Sequence, residues 1–378
     1  MPTAAASTAV SGWTAERVET DGDAYFAAVL ADITAAERQV TVEVYILEDD
    51  AIGRALVTAL EAAQARGVEV HLLVDGIGSA AWISGRPETS IPWRIYHPPP
   101  WLVVGAPLPD ALRFINRRNH RKVCVIDGRH AWVGSFNWER LHSRNEVGDQ
   151  AWRDTAARVS GPAVSTLGRA FTTAWRQSWR STRRKRALVP AIAWRRGLGE
   201  VEICGPVRLN ANRTLRRRQW KDLLARVGQA RTRVWITTPY FVPSDDLLRT
   251  LTTADAHCDV RLILPQRNDH RFMGWVASVY AERLLRAGVR IWIHPTMIHA
   301  KTWVIDDRGL VGSSNLNSRS LRFDLEADVW LDQPASVTAL ADAFTADCAR
   351  SIEIPRSARP PWWMRLLGNT FLLMRRYL

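Results

Sequence analysis

Cysteine is scarce and scattered in this chain. Cys124, Cys204, Cys258 and Cys348 stand far apart with no C-x-x-C pair. That spacing excludes a disulfide-stapled scaffold and a cysteine-rich zinc module, and predicts reduced, buried thiols of a cytosolic protein. Long apolar runs are missing too: no stretch reaches the roughly 20 residues needed to cross a bilayer, so any membrane contact is expected to be peripheral. The opening Met1 to Gly12 has neither a basic start nor an apolar core, and no signal peptide is expected. Acidic residues are under-represented, 38 Asp and Glu against 51 Lys and Arg, and the resulting net charge of +13 predicts an anionic partner. Charge alone does not choose among a membrane surface, a nucleic acid and a phosphorylated substrate.

With 378 residues, 47% of them apolar, the chain can bury a large core and fits two lobes better than one. The stretch Asn119 to Trp138 reads N-H-R-K-V-C-V-I-D-G-R-H-A-W-V-G-S-F-N-W and carries His120, Lys122, Asp127, Ser135 and Asn137. The pattern returns with His299, Lys301, Asp306, Ser313 and Asn315. Alternation along a strand puts His120 and Lys122 on one face, and the turn at Asp127 and Gly128 reverses the chain. A second strand then brings Gly134 to Asn137 back beside the first.

Each copy offers an imidazole, an ammonium, a hydroxyl and an amide, a set suited to phosphodiester chemistry. Imidazole titrates near neutrality, so one histidine can attack phosphorus as the neutral base while the other protonates the leaving oxygen. Lys122 and Lys301 would stabilise the pentacoordinate charge, with Ser135, Asn137, Ser313 and Asn315 as phosphate-binding groups. The histidines lack metal-ligand spacing and the lysines already supply positive charge, so neither a metal nor another cofactor is expected. Five residues separate Asp306 from Gly312, against six between Asp127 and Gly134, a trim that Gly309 is expected to absorb in the turn.

The doubled pattern H-x-K-x-x-x-x-D followed by G-S-x-N resembles the phospholipase D superfamily. Over most of the chain the arrangement is similar to bacterial cardiolipin synthases of the short kind without amino-terminal membrane spans. The resemblance implies an α/β fold of two similar lobes, each a mostly parallel sheet flanked by helices, related by a pseudo-two-fold axis with one active site between them. It implies His120, Lys122, Asp127, His299, Lys301 and Asp306 as the catalytic set. It also implies an acid on a strand after each motif to fix the imidazole tautomer, matched here by Asp149 in Asn145–Trp152 and by Glu326 in Leu325–Trp330.

The implied reaction is phosphatidyl transfer between two phosphatidylglycerol molecules, giving cardiolipin and glycerol, with His120 as nucleophile and His299 as acid and then base. Hydrolysis of phospholipid or nucleic acid would use the same phosphohistidine and stays open, as does a non-catalytic anionic-lipid-binding module. The partner implied is an anionic phospholipid membrane, at the cytoplasmic face of the bacterial inner membrane, with nucleic acid disfavoured.

Element order supports the duplication. Strand, helix, strand and then motif occur in both halves, which divides the chain into a first lobe over 1–190, a linker over about 180–200, a second lobe over 201–358 and a tail over 359–378. A proline-rich apolar stretch, Pro98 to Val104, precedes the first motif, and a basic run, Arg180 to Arg186, opens the linker. Eighteen tryptophans, many beside arginine, suit a headgroup interface as well as base stacking. In the tail Trp363, Leu366, Leu367, Thr370, Phe371 and Met374 recur at helical spacing between arginines, the pattern of a helix lying in a headgroup plane.

Overall fold

Short polar side chains set where the helices begin. Asp21 accepts the Ala24 amide to start α1 (Gly22–Ala35), and Asp50 accepts the Gly53 amide to start α2 (Ala51–Ala65). The structure, a computed structural model, describes residues 12–99, 117–181, 188–190, 205–270 and 272–373. The opening residues 1–11, the apolar stretch from 100 onward, the basic run Arg183 to Arg186, Cys204 and residues 374–378 lie outside the described residues.

The first sheet contains β1 (Ala15–Glu19), β2 (Gln39–Val44), β3 (Glu69–Asp75), β4 (Trp93–Tyr96), β5 (Val123–Ile126), β6 (His130–Gly134), β7 (Ala156–Ser160), β8 (Trp179–Ser181) and β9 (Leu188–Pro190). Its spatial order is β1-β7-β6-β5-β2-β3-β4-β8-β9. The helices α3 (Ala80–Ser84), α4 (Arg144–Val147) and α5 (Val164–Arg176) complete this lobe. The second sheet contains β10 (Val207–Leu209), β11 (Arg233–Thr237), β12 (Asp259–Pro265), β13 (Arg290–His294), β14 (Thr302–Ile305), β15 (Arg308–Gly312), β16 (Ala327–Leu331) and β17 (Ile352–Glu353), in the order β10-β16-β15-β14-β11-β12-β13-β17. Its helices are α6 (Arg213–Gln229), α7 (Asp245–Thr252), α8 (Phe272–Arg286), α9 (Ser318–Arg322) and α10 (Pro334–Ala349), and α11 (Trp362–Leu372) follows.

Both sheets are mixed. Strands β2, β3 and β4 run parallel, as do β11, β12 and β13, while the motif hairpins β5-β6 and β14-β15 pair antiparallel beside them. The shorter second hairpin loses its residue in the turn alone: Ile126 pairs with His130 and Ile305 with Arg308, whereas Val123 pairs with Val133 and Thr302 with Val311. Gly309 therefore lies on β15 and not in the turn.

Alternation along the motif strands builds the molecule inward from both sides. Cys124, Ile126 and Trp132 face the core of the first lobe, while Val123, Val125, Ala131 and Val133 enter a shared core with Val304, Val311, Val329 and Leu331 of the second. Each such side chain, fully buried, contributes about 1.5–3 kcal/mol, so the lobes are joined by a true hydrophobic core.

Two backbone bridges close this seam in matching positions. His120 donates its amide to the Leu325 carbonyl at 3.0 Å, and Leu325 returns its amide to the Arg118 carbonyl at 2.8 Å. Arg153 donates to Met297 at 3.0 Å, and His299 to Arg153 at 2.7 Å. Each motif thus begins by pairing with the segment that precedes a strand of the other lobe.

The tail helix docks by one face. Phe371 stacks on Phe272 at 4.9 Å, and Gly368 lies against the Trp275 carbonyl, where an added Cβ would come within 2.3 Å. Arg359 and Arg365 both pair with Glu282. Trp362, Leu366 and Leu373 remain 76%, 59% and 86% exposed, a large apolar face with no protein cover among the described residues. No helix among the described residues is long and apolar enough to cross a membrane.

Asp75, at the end of β3, locks the approach to the first motif. It accepts the amides of Ile77, Gly78 and Asn119, and its carboxylate pairs with the buried Arg118 guanidinium at 2.7 Å. Removing one partner of a buried pair leaves an uncompensated charge, costing about 3–5 kcal/mol. Arg118→Met is expected to lower the unfolding free energy obtained from urea melts by that amount, and a value equal to wild type would show that Asp75 does not need the guanidinium.

Candidate active site

The two histidines lie at the ends of the seam bridges, and each is oriented by the opposite lobe. His120 Nδ1 is 3.1 Å from Glu326 Oε2 and 3.1 Å from the Ser313 carbonyl oxygen. A carbonyl can only accept, so Nδ1 carries the hydrogen and Nε2 keeps its lone pair. His299 Nδ1 is 2.7 Å from Asp154 Oδ2, which selects the same tautomer. Both rings are buried, with Tyr45 edge-on to His120 at 4.8 Å and Trp152 5.5 Å from His299.

Asp154 replaces Asp149 as the first lobe's acid. The segment expected as a strand over 145–152 is instead α4 followed by a 3-10 turn over Gly148–Gln150, and the Asp149 side chain is fully exposed, 3.9 Å from Arg144. The cause is an insertion. Asp154 follows Ser135 by nineteen residues, whereas Glu326 follows Ser313 by thirteen. The extra turn of chain carries Asp149 to the surface and delays the acid to the position just before β7, matching Glu326 just before β16.

The serines face the acids. Ser135 Oγ donates to Asp154, and Ser313 Oγ donates to Glu326 Oε2 at 2.5 Å, both from fully buried positions. Their hydroxyls therefore brace the carboxylates and are not phosphate ligands. Asn137 donates its side-chain amide to Glu139 at 3.0 Å, and the buried Oδ1 atoms of Asn137 and Asn315 have no hydrogen-bond partner among the described residues. These amides stay candidates for contact with substrate.

Asp127 and Asp306 are structural. Asp127 sits at positive φ in its turn and accepts the amides of Glu37, Arg38 and Gln39, and Asp306 takes those of Arg231, Thr232 and Arg233. Partial burial pushes both carboxyls up, but these amides outweigh it and hold them below the usual range. Each aspartate pins its hairpin to the start of the neighbouring parallel strand and touches no reacting group.

Lys122 and Lys301 donate to the carbonyls of His120 and His299, at 3.0 and 2.6 Å, from buried positions. Lys122 also lies over the Tyr45 ring at 4.9 Å. Burial pushes Lys122 down to about 7, helped by the nearby Lys301, and burial pushes Lys301 down to about 8. Burial lowers both imidazoles, helped by Lys122 and Lys301 at His120 and by Lys301 at His299, and holds them neutral. Burial raises Glu326 to about 7. Asp154 is also pushed up by burial, but His299, His142 and Lys301 outweigh this and keep it ionised.

Among the described residues one group could hold a metal ion, His142, Asp154 and His299, whose ligand atoms lie within 4.8 Å of one another. The donor set does not suit a cation. Nδ1 of His299 carries a proton, and both Asp154 oxygens already receive hydrogen bonds, Oδ1 from Ser135 and the Thr155 amide and Oδ2 from His299.

The comparisons agree with this geometry. The family described as cardiolipin synthase, PLD-like domain, matches residues 29–147 and 223–348, one segment in each lobe. The chain is 30% identical over 371 residues to the cardiolipin synthase of Alkalihalophilus pseudofirmus, covering 95% of this chain and 71% of that protein. It is 31% identical over 361 residues to cardiolipin synthase A of Pseudomonas aeruginosa, covering 93% and 71%. Among solved structures it superposes on phosphatidylserine synthase from Haemophilus influenzae with a TM-score of 0.69 at 12% identity, covering 96% of this chain and 95% of that one, a likeness of fold.

Two outcomes check the site. In Asp154→Asn the Ser135 hydroxyl and Thr155 amide claim the one carbonyl oxygen, which turns an N–H toward His299 Nδ1 and selects the wrong tautomer, so kcat should fall by about 10²–10⁴, while Asp149→Asn should stay within about twofold; equal effects would return the role to Asp149. The lysines set the second: above pH 7 the empty site loses positive charge, so KM for a phosphodiester should rise from pH 7 to 9 and binding there should take up protons. Calorimetry in buffers of different ionisation enthalpy reads that uptake, and a zero value would exclude it.

Proposed function

The chain belongs to the cardiolipin synthase family with phospholipase D-like domains, and from that premise we propose that it transfers a phosphatidyl group from one phosphatidylglycerol to the headgroup hydroxyl of another. It is an enzyme of the phosphatidyltransferase class. The observation that carries the mechanism is the crossed orientation of the two imidazoles, each presenting an Nε2 lone pair because its Nδ1–H is engaged by the other lobe.

In the first half-reaction His120 Nε2 attacks phosphorus, the N–P bond forms, and the P–O bond to glycerol breaks. His299 gives its Nε2 proton to the departing oxygen. That proton arrives with substrate: the phosphodiester charge offsets Lys301, which otherwise helps burial to keep His299 neutral, and ionised Asp154 stabilises the imidazolium. In the second half-reaction the hydroxyl of the acceptor lipid attacks phosphorus, His299 takes its proton, and the N–P bond breaks. The lysines and asparagines stabilise the equatorial oxygens in both steps. No cofactor enters the scheme.

Membrane association follows from the substrate, and the uncovered face of α11 supplies an apolar contact flanked by Arg359 and Arg365. The reading is peripheral attachment at the cytoplasmic face, with the basic surplus of the chain turned to anionic lipid.

Purified protein incubated with labelled phosphatidylglycerol vesicles is expected to yield cardiolipin and glycerol in the presence of EDTA, with an acid-labile phosphoenzyme that His120→Ala abolishes. Phosphatidic acid as the sole lipid product would instead mark a hydrolase.

A further inference from the structure

A third imidazole lies behind the site. His142 is fully buried, its ring 5.4 Å from that of His299 and 5.5 Å from those of Phe136 and Trp152. Its Nε2 accepts the Asn137 backbone amide at 3.4 Å, so a ring hydrogen is on Nδ1. Nδ1 lies 3.4 Å from Asp154 Oδ2, the oxygen that also receives His299. That contact is long and off-line, and no atom of the described residues offers Nδ1 a well-aligned hydrogen bond.

The second lobe identifies the role. Five residues after Asn137 stands His142, and five residues after Asn315 stands Ser320. Ser320 Oγ accepts the Asn315 amide at 3.0 Å and donates to Glu326 Oε1. Both lobes therefore run the same chain of contacts: asparagine amide, side chain five residues on, carboxylate, imidazole of the other lobe. One lobe uses a wide ring with the shorter acid, the other a hydroxymethyl with an acid longer by one methylene. What the two lobes have in common is the order of the contacts, with the shorter acid behind the wider side chain and the longer acid behind the smaller one.

We propose that His142 is a positioning residue for His299, bridging the Asn137 amide to Asp154 and holding that carboxylate in register, and that His142 with Asp154 and Ser320 with Glu326 are interchangeable pairs. The inference rests on the proposed roles of His120 and His299, because it concerns how His299 is held. His142 touches no reacting atom and acts through Asp154.

The test exchanges the pair. His142→Ser alone opens a gap beside Asp154, and Asp154→Glu alone overfills the same space. Each is expected to lower kcat on phosphatidylglycerol vesicles by about 10- to 100-fold. The double variant, which copies the second lobe, is expected to recover most of that loss. The ¹⁵N spectrum of histidine-labelled protein reads the same event without turnover: the His299 signals should report mixed tautomers in each single variant and one tautomer again in the double. A second comparison guards against a folding defect in the exchange series. His142→Asn keeps an N–H near the place of Nδ1 and should retain more activity than His142→Leu, at matched Tm.

Wild-type kcat and an unchanged His299 spectrum in His142→Ser would overturn the inference, as would a folded double variant no better than its poorer parent, or equal loss in the Asn and Leu variants. A wild-type protein that makes no cardiolipin would overturn the functional reading instead, since the His299 spectrum needs no product.

Discussion

The exchange of carboxylates between lobes is the constraint on which the rest depends. Neither lobe supplies the acid for its own motif histidine: Glu326 serves His120 and Asp154 serves His299. Half a molecule would leave each acid without the motif histidine that it orients, and a buried carboxylate that loses its partner costs several kcal/mol. The requirement explains the paired bridges of Arg118–His120 with Leu325 and of Met297–His299 with Arg153, which set the backbone of each motif against the acid-bearing segment of its partner. It also explains why the apolar faces of β5, β6, β14, β15 and β16 merge in one core, since the crossed pairs need a seam that does not slide.

Charge inside this seam is poised against the fold. Two ammonium groups, two neutral imidazoles and two carboxylates share a volume from which water is largely excluded, and burial is the first influence on every one of them. Burial costs both lysines affinity for their protons, and Lys301 lowers Lys122 further. A phosphodiester supplies the missing negative charge, so the site gains most when the group it is built for arrives. The cost is carried elsewhere by packing and by polar clamps such as Asp75 with Arg118.

Much of this was readable in the sequence, and the failures have local causes. Fixed spacing with repeated residue types located His120, Lys122, His299 and Lys301, and the order of strands and helices gave two lobes. The acid of the first lobe was missed because an insertion between Gly134 and β7 shifted it from Asp149 to Asp154. The equivalence lies in the pairing of the motif serines: Ser313 donates its amide to Ala327, just after Glu326, and Ser135 donates its amide to Thr155, just after Asp154. Residue type named the serines but not what their hydroxyls face, and proximity in sequence drew Asp127 and Asp306 into a site from which their turns point away. His142 carried no motif at all. It becomes visible only when the two lobes are laid over each other.

The overlay also shows that duplication left the halves chemically unequal. Glu326 is raised by burial to about 7 and receives two serine hydroxyls, Ser313 and Ser320, whereas Asp154 stays ionised beside one serine and two imidazoles. An ionised carboxylate stabilises an imidazolium; a carboxyl near its titration point does so less. The proposed division of labour fits that inequality: His120 enters as a neutral nucleophile and its ring is cationic only while Nε2 is bonded to phosphorus with Nδ1–H in place, whereas His299 must carry a whole proton and give it up in each cycle. His299 has the partner suited to the cation, and His120 has the partner suited to the neutral ring. The direction of the reaction through a nearly two-fold site would then be set by one methylene and one imidazole, placed behind the residues that touch the substrate.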